Sequence, residues 1–302
     1  MVDPGVVAQL TVNGLLSGGI LALAAMGLTI IFGVMDVVNF AHGTYVMLAM
    51  YAAFVLWQFA GLQPFVAMLV VAPLFFVFGV ATQKVIIEPI IEKPMFAQVF
   101  ATLGLLWIYE NLALYVFGPA PRSVNAGFGG VVVGGVAVEV ARFYGFVVAV
   151  AVTLGLYAFL FRTKTGLAIR ATAQSRQLAQ PFGVNIDRIY MLTFGIGIAL
   201  VGLAGSVIMS TRSVEPTTGN YYVLLSFVIV TLGGLGSVGG AFLGGLLIGV
   251  LDSYISFYIS PALAPPIYFA IFIGVLVLRA TGRLDFIRYR VRKYLPTGGM
   301  SH

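Results

Sequence analysis

Nine apolar segments divide this chain, at roughly 9–34, 41–59, 64–83, 96–118, 142–161, 189–211, 221–235, 238–258 and 265–281. Most are close to the ~20 residues that a helix, rising 1.5 Å per residue, needs to cross a ~30 Å hydrocarbon layer. A membrane-spanning strand needs only about 10 residues and alternates in polarity; these runs do neither. Lipid offers the backbone no hydrogen-bond partner, so a crossing segment must satisfy its own N–H and C=O groups. The chain is therefore expected to be all-α and polytopic, with about eight to nine transmembrane or re-entrant helices. The segment at 221–235 is short for a full crossing and is expected to be re-entrant or broken.

Composition excludes the soluble alternative. The chain is 60% hydrophobic and 9% charged, with mean hydropathy +1.05, where soluble proteins carry about 25% charged residues. There is no cysteine, which removes disulfides, Cys-ligated zinc and iron–sulfur clusters. The opening MVDPGVVAQL has no Lys or Arg, so the first segment reads as a permanent span rather than a cleaved signal peptide.

The basic residues are clustered, and the net charge of +6 reads as topology rather than nucleic-acid binding. Five of the sixteen Lys and Arg fall within 162–188, as Arg162, Lys164, Arg170, Arg176 and Arg188. A tail from about 282 carries Arg283, Arg288, Arg290, Arg292 and Lys293. The positive-inside rule places both on the cytoplasmic side, together with the 84–95 loop. The N-terminus and residues 119–141 then lie outside. This count requires the seventh segment to cross. On the outside, VVVGGVAVEV reads as a small β-hairpin around Gly134-Gly135, either a lid or docking surface or a plain loop.

Polar interruptions of the apolar runs mark candidate sites. Asp36, Asn39 and His42 break the stretch GVMDVVNFAHGTYVM. Ionisable groups in lipid cost about 2.5–3.5 kcal/mol on insertion scales and usually serve a pathway or find a partner. Asp36 reads as an interfacial turn residue in water. Asn39 reads either as a cap of the second helix or, with His42, as a path residue. His42 lacks companions for a metal, since the other histidine is terminal His302. Glu110-Asn111 in the fourth segment and Asp252-Ser253 in the eighth pose the same question, with helix–helix hydrogen bonding the favoured answer. The glycines have GxxxG spacing at Gly14/Gly18, Gly240/Gly244 and Gly245/Gly249, as expected of close helix packing. Residues 234–239, GLGSVG, match GxGxxG but lack the βαβ context of a dinucleotide site; a Gly-rich break between half-helices fits better. No P-loop, nucleophile–base pair or metal cluster is visible, so no catalytic or metal-binding residue is assigned.

The basic segment RTKTGLAIRATAQSRQLAQPFGVNIDR reads as one short helix between two spans. Thr165-Gly166 starts it, Leu167, Ala171, Leu178 and Phe182 gather near one side, and Pro181 and Gly183 stop it. A protruding knob of this kind suits a socket on a soluble partner better than a lipid surface.

In NGLLSGGILALAAMGLTIIFGV, NFAHG, ATLGLLWIYENLALYVFGPAPRSV, GLAIRATAQSRQLAQPFGVNIDRIYMLTFGIGIALVGLAG and VTLGGLGSVGGAFLGGLLIGVLDS, the chain resembles, over nearly its whole length, the membrane subunit of bacterial ABC importers for branched-chain amino acids. The resemblance implies a single permease transmembrane domain over 1–302. It also implies a bacterial inner membrane location, a second permease chain, two cytoplasmic ATPase subunits that carry ATP and Mg, and a periplasmic binding protein. No cofactor is expected on this chain. Gly166, Arg170, Ala173, Arg176 and Gly183 would then form the surface that couples to the ATPase, while Asn39, His42, Thr44, Glu110, Asn111 and Gly236 are candidates for the translocation path. The chain departs from many relatives at Thr44 and Ser175, where they carry acids, and at Pro181, where they carry an apolar residue. Thr44 opens the cargo to urea, short amides or aromatic acids beside branched-chain amino acids. The rival reading is a stand-alone ion-coupled transporter using Glu110 or Asp252.

Overall fold

The computed structural model describes residues 3–125 and 127–280, without the side chains of 278–280. The basic tail and His302 lie outside the described residues.

Each apolar segment forms a helix. They are α1 (Pro4–Met35), α2 (His42–Ala60), α3 (Pro64–Thr82), α4 (Met95–Phe117), α5 (Val140–Arg162), α8 (Ile186–Met209), α9 (Thr218–Gly233), α10 (Val238–Tyr258) and α11 (Ala264–Ala280). The basic segment supplies two more, α6 (Lys164–Gln174) and α7 (Arg176–Ala179). Among the described residues seven helices, counting α3 with its extension to Ile90, are long and apolar enough to cross a membrane; α9 and α11 are shorter.

Local chemistry fixes the ends. Asp3 accepts the Gly5 N–H at 2.9 Å and Pro4 opens α1, meeting the need of a helix start for an outside acceptor and a fixed φ. Beyond Thr82 the third span does not stop as expected but winds on through a π-helical stretch, Gln83–Ile87, and a 3-10 turn, Glu88–Ile90. A Lys84–Glu88 pair at 2.8 Å spans this extension. The hairpin is present as β1 (Gly130–Val133) and β2 (Val136–Glu139), paired antiparallel with Val133 opposite Val136. Its two-residue turn sets φ to 58° at Gly134 and 83° at Gly135, values that side chains with a Cβ resist. Gln9 clamps the hairpin to α1: its Nε2 donates to the Ala137 carbonyl at 2.6 Å and its Oε1 accepts the Ala137 N–H at 2.7 Å. The N-terminus and the hairpin thus share one end of the molecule.

The core is built on α1, buried along most of its length. In lipid, apolar side chains gain nothing by leaving one solvent for another, so tight contact between small residues drives association. The α1–α10 seam shows it. A Cβ on Gly18 would stand 2.6 Å from the Gly245 carbonyl oxygen, and one on Gly14 would stand 2.6 Å from the Val250 Cα. On another side of α1, a Cβ on Gly197 of α8 would stand 2.7 Å from Ile31 and 2.9 Å from the Gly27 carbonyl oxygen. Helices α3, α4 and α5 instead expose broad apolar faces, among them Leu69, Val77, Trp107, Tyr115 and Leu154.

These contacts settle the seventh segment. Gly14 packs on Val250 while Gly33 packs on Gly236, so α10 runs antiparallel to α1. Gly27 meets Gly197, and Ile20 and Val207 both abut Gly145, so α8 does too. Two helices of the same sense, consecutive but for α9, require α9 to carry the chain back. With 16 residues it is about 24 Å long and makes the return aided by a partly extended stretch, 210–217.

Candidate functional site

Two regions of this fold gather the residues singled out by sequence. The first is the break between α1 and α2. Asp36 ends α1 in the left-handed region, φ 54°, and its N–H donates to the Phe32 carbonyl at 2.9 Å. Its side chain is exposed, as the interfacial reading expects. The chain then turns back into the protein. His42, the first residue of α2, donates its Nε2–H to the Ala24 carbonyl at 2.9 Å. Ala24 lies about 16 Å short of the α1 terminus at 1.5 Å per residue, so α2 begins deep within the bundle.

Asn39, His42 and Thr44 are all within 1% of complete burial. Asn39 does not cap α2. The N-cap position is Ala41, which offers no side-chain acceptor, and both amide atoms of Asn39 lack a partner among the described residues. His42 Nδ1 is likewise unpaired; with Nε2 donating to a carbonyl, the neutral ring leaves Nδ1 as an acceptor. Thr44 turns its hydroxyl back to the Ala41 carbonyl at 2.7 Å. Its Cγ2 stands 2.8 Å from where a Cβ on Gly219 would be, in the first turn of α9. Phe40 packs on Phe227 of α9 with ring centres 5.4 Å apart, and Thr102 of α4 lies 3.2 Å from the Val38 carbonyl.

The other path candidates are placed differently. Glu110 accepts from Asn220 Nδ2 of α9 at 3.4 Å. Asn111 points to the exposed face of α4 and donates to the Trp107 carbonyl at 2.8 Å. Gly236, with φ 81°, sits in the turn between α9 and α10 against Gly33, near the α1 terminus and away from the buried break. Asp252 is engaged by the Tyr268 hydroxyl and faces Arg212 Nη2 at 3.7 Å, joining α10, α11 and the 210–217 stretch.

Sequence reasoning missed several buried polar groups, among them Gln83 and Thr193. Gln83 and Thr193 are 1% and 0% exposed, with Oε1 and Oγ1 unpaired. Gln83 closes an apolar run and read as a span boundary. A threonine within a helix ordinarily returns its hydroxyl to the carbonyl four residues back, as Thr29 and Thr82 do, so nothing in the sequence marked Thr193 as an exception.

The second region is the basic knob. It is not the single helix expected. Thr163 caps α6 by accepting the Gly166 N–H at 2.9 Å, so the helix begins at Lys164, one residue before the Thr165 that the sequence suggested. Ser175, extended at φ −166° and ψ 111°, then interrupts the helix and caps α7 by accepting the Leu178 N–H at 3.3 Å. Serine competes for backbone donors in this way and favours a new start over a helix interior. A 3-10 turn, Gln180–Phe182, follows with Pro181 at a start position that needs no N–H, and Gly183 closes it at φ 82°. Pro181 therefore does not shorten the first helix, which has already ended. Gly166 lets α6 lie against the end of α5, where a Cβ would stand 2.6 Å from the Leu160 Cα. Arg170 folds back onto the same place. Ala173, Arg176 and Gly183 are exposed, and so are the apolar Leu167, Leu178 and Phe182, at 59%, 70% and 89%. Beside the knob, a polar cleft of about 540 Å³ is lined by residues including Glu88, Glu92, Lys93, Arg176 and Asp187, which puts the 84–95 loop and the knob at one end of the molecule.

Known proteins share this layout of sequence. The family described as branched-chain amino acid transport system / permease component matches residues 10–281. The high-affinity branched-chain amino acid transport system permease protein BraD of Pseudomonas aeruginosa is 30% identical over 294 residues, covering 91% of this chain and 95% of its own length. Its counterpart LivH of Escherichia coli K12 is 28% identical, covering 90% and 93%. A solved structure, PsaBC from Streptococcus pneumoniae in complex with Fab, overlaps with a TM-score of 0.48 at 14% identity, covering 87% of this chain and 89% of that one. This polytopic helical chain belongs to the family of branched-chain amino acid transport system permease components.

Proposed function

We propose that the chain is the permease subunit of an ATP-driven importer for branched-chain amino acids. It works in a bacterial inner membrane as one transmembrane domain, with its C-terminus cytoplasmic. It pairs with a second permease chain and two ATPase subunits, which bind ATP and Mg, and receives cargo from a periplasmic binding protein. It performs no covalent chemistry.

The observation that carries this reading, beside family membership, is the knob. Leu167, Leu178 and Phe182 stand exposed on a segment too polar to lie in lipid. Large apolar side chains held in water at the tip of a short, capped segment suit a socket on a soluble partner. Gly166 and Arg170 fasten that segment to the end of α5, so a displacement of the knob pulls on a membrane helix. Ala173, Arg176 and Gly183 complete the coupling surface. Asn39, His42 and Thr44 line the path where α2 begins. Urea, short amides or aromatic acids are the alternative cargo within the same importer class. The ion-coupled reading loses support, because Asp252 and Glu110 are each hydrogen-bonded to a neighbouring helix.

Photo-crosslinkers at positions 178 and 182 of the assembled importer test the docking. The expected adducts are with the ATPase subunits; adducts with lipid alone, in an importer that still hydrolyses ATP, contradict it.

A further inference from the structure

We infer that the touching N-termini of α2 and α9, with Asn39 and His42, form a buried transit site for the zwitterionic head of the cargo, its carboxylate on the helix starts and its ammonium on the unpaired side-chain acceptors.

This rests on the importer reading and names the site within it. The first turns of α2 and α9 meet where Gly43 and Gly219 leave no room for a Cβ on either. Neither start is closed by a side chain, at Ala41 or at Thr217. A helix start leaves its first N–H groups without intrahelical acceptors and carries about half a positive charge; here the N–H groups of His42, Thr218 and Asn220 donate to nearby backbone carbonyls. Two such starts meet here, that of α2 buried and that of α9 partly exposed at Thr217, Thr218 and Asn220, and together they favour an anion, as broken helices do near the midplane of other transporters.

The second observation is independent of helix geometry. Asn39 is 0% exposed with both amide atoms unpaired, and its carbonyl accepts the His42 N–H at 3.2 Å, which holds it at the first turn of α2. His42, also 0% exposed, keeps Nδ1 free as an acceptor because Nε2–H is spent on Ala24. A buried amide left without partners costs about 1–3 kcal/mol, a cost that persists where a ligand supplies the partners. Asn39 Nδ2 donates to a carboxylate; Asn39 Oδ1 and His42 Nδ1 accept from an ammonium. The two first turns touch in this structure, so the cargo enters when α2 and α9 part.

Asn39→Asp tests the site in the complete transporter, reconstituted in proteoliposomes with its ATPases and leucine-loaded binding protein. A second carboxylate at position 39 repels that of the cargo, and leucine imported per ATP hydrolysed is expected to fall at least tenfold. An unchanged ratio, or import and hydrolysis falling in parallel, overturns the inference. Should the variant fail to assemble, hydrogen exchange at the amides of 42–45 and 218–221 in the parent complex decides. Slowing by millimolar L-leucine but not by leucinamide supports the site, and equal or absent effects overturn it. A parent complex without ATP-driven leucine uptake overturns the importer reading itself, and this site with it.

Discussion

Arg170 donates its Nε–H to the Leu160 carbonyl at 2.9 Å and lays its guanidinium 4.3 Å from the centre of the Phe161 ring. The hydrogen bond reaches a carbonyl in the last turn of α5, where the helix dipole favours a cation. The stacking holds the flat group in place. Arg170 is thus the strap between knob and membrane helix rather than a side chain reaching for a partner.

Arg170→Ala is expected to loosen the strap. Charge-assisted hydrogen bonds are worth about 1.5–3 kcal/mol, so ATP-driven uptake should drop about tenfold while the ATPase subunits still co-purify. Arg170→Lys keeps the charge but not the planar stack, and should recover only part of the uptake. Transport assays beside pull-downs of the same membranes check both.

Ser175 caps α7 through its side-chain oxygen, which accepts the Leu178 N–H. Ser175→Asp should leave coupling intact, since a carboxylate serves both the cap and the helix start. Ser175→Ala removes the acceptor at a cost of about 1 kcal/mol. Faster amide exchange confined to 176–182 is the expected signature.

The α1–α10 seam admits no side chain. Gly18→Val or Gly245→Val forces backbone apart where a Cβ already meets backbone atoms; overpacking costs at least about 1–3 kcal/mol. Either variant should lower the melting temperature of the detergent-solubilised complex and its membrane yield. Gly104, on α4, has open space around it and is the contrast. Gly104→Ala should be neutral or stabilising by up to about 1 kcal/mol.

Asp252 joins three parts of the hairpin end through Tyr268 and Arg212. Tyr268→Phe should reduce thermal stability by about 1–3 kcal/mol, the cost of a buried acceptor left short of a donor. ATP-driven uptake should persist in the surviving protein and show no dependence on an imposed proton gradient.

Much of the fold was legible in the chain, for a physical reason. Lipid enforces helices, so nine apolar runs became nine helices, and Gly134-Gly135 announced the hairpin turn. The break at Ser175 was not legible, because LAIRATAQSRQLAQ is built of helix formers and only the competing hydroxyl interrupts it. At the site, Asn39, His42 and Thr44 stood out as polar residues in an apolar stretch, and the structure brings them together. It sets Asn111 apart from them, because sequence gives no azimuth for a helix of weak amphipathicity, and Gly236 too, because the α9–α10 turn lies near the α1 terminus rather than at the buried break. The approach of α9 to α2 depends on Gly43 and Gly219, far apart in the chain, and no local pattern joins them.

The central claim is that energy enters through the knob. The most direct test is leucine uptake by the reconstituted complete importer carrying Leu178→Asp and Phe182→Asp together, with ATP inside or with only a proton or sodium gradient. The account predicts ATP-driven uptake by the parent complex, its loss in the double variant, and no gradient-driven uptake by either. Full uptake by the variant, or gradient-driven uptake by this chain alone, would contradict it.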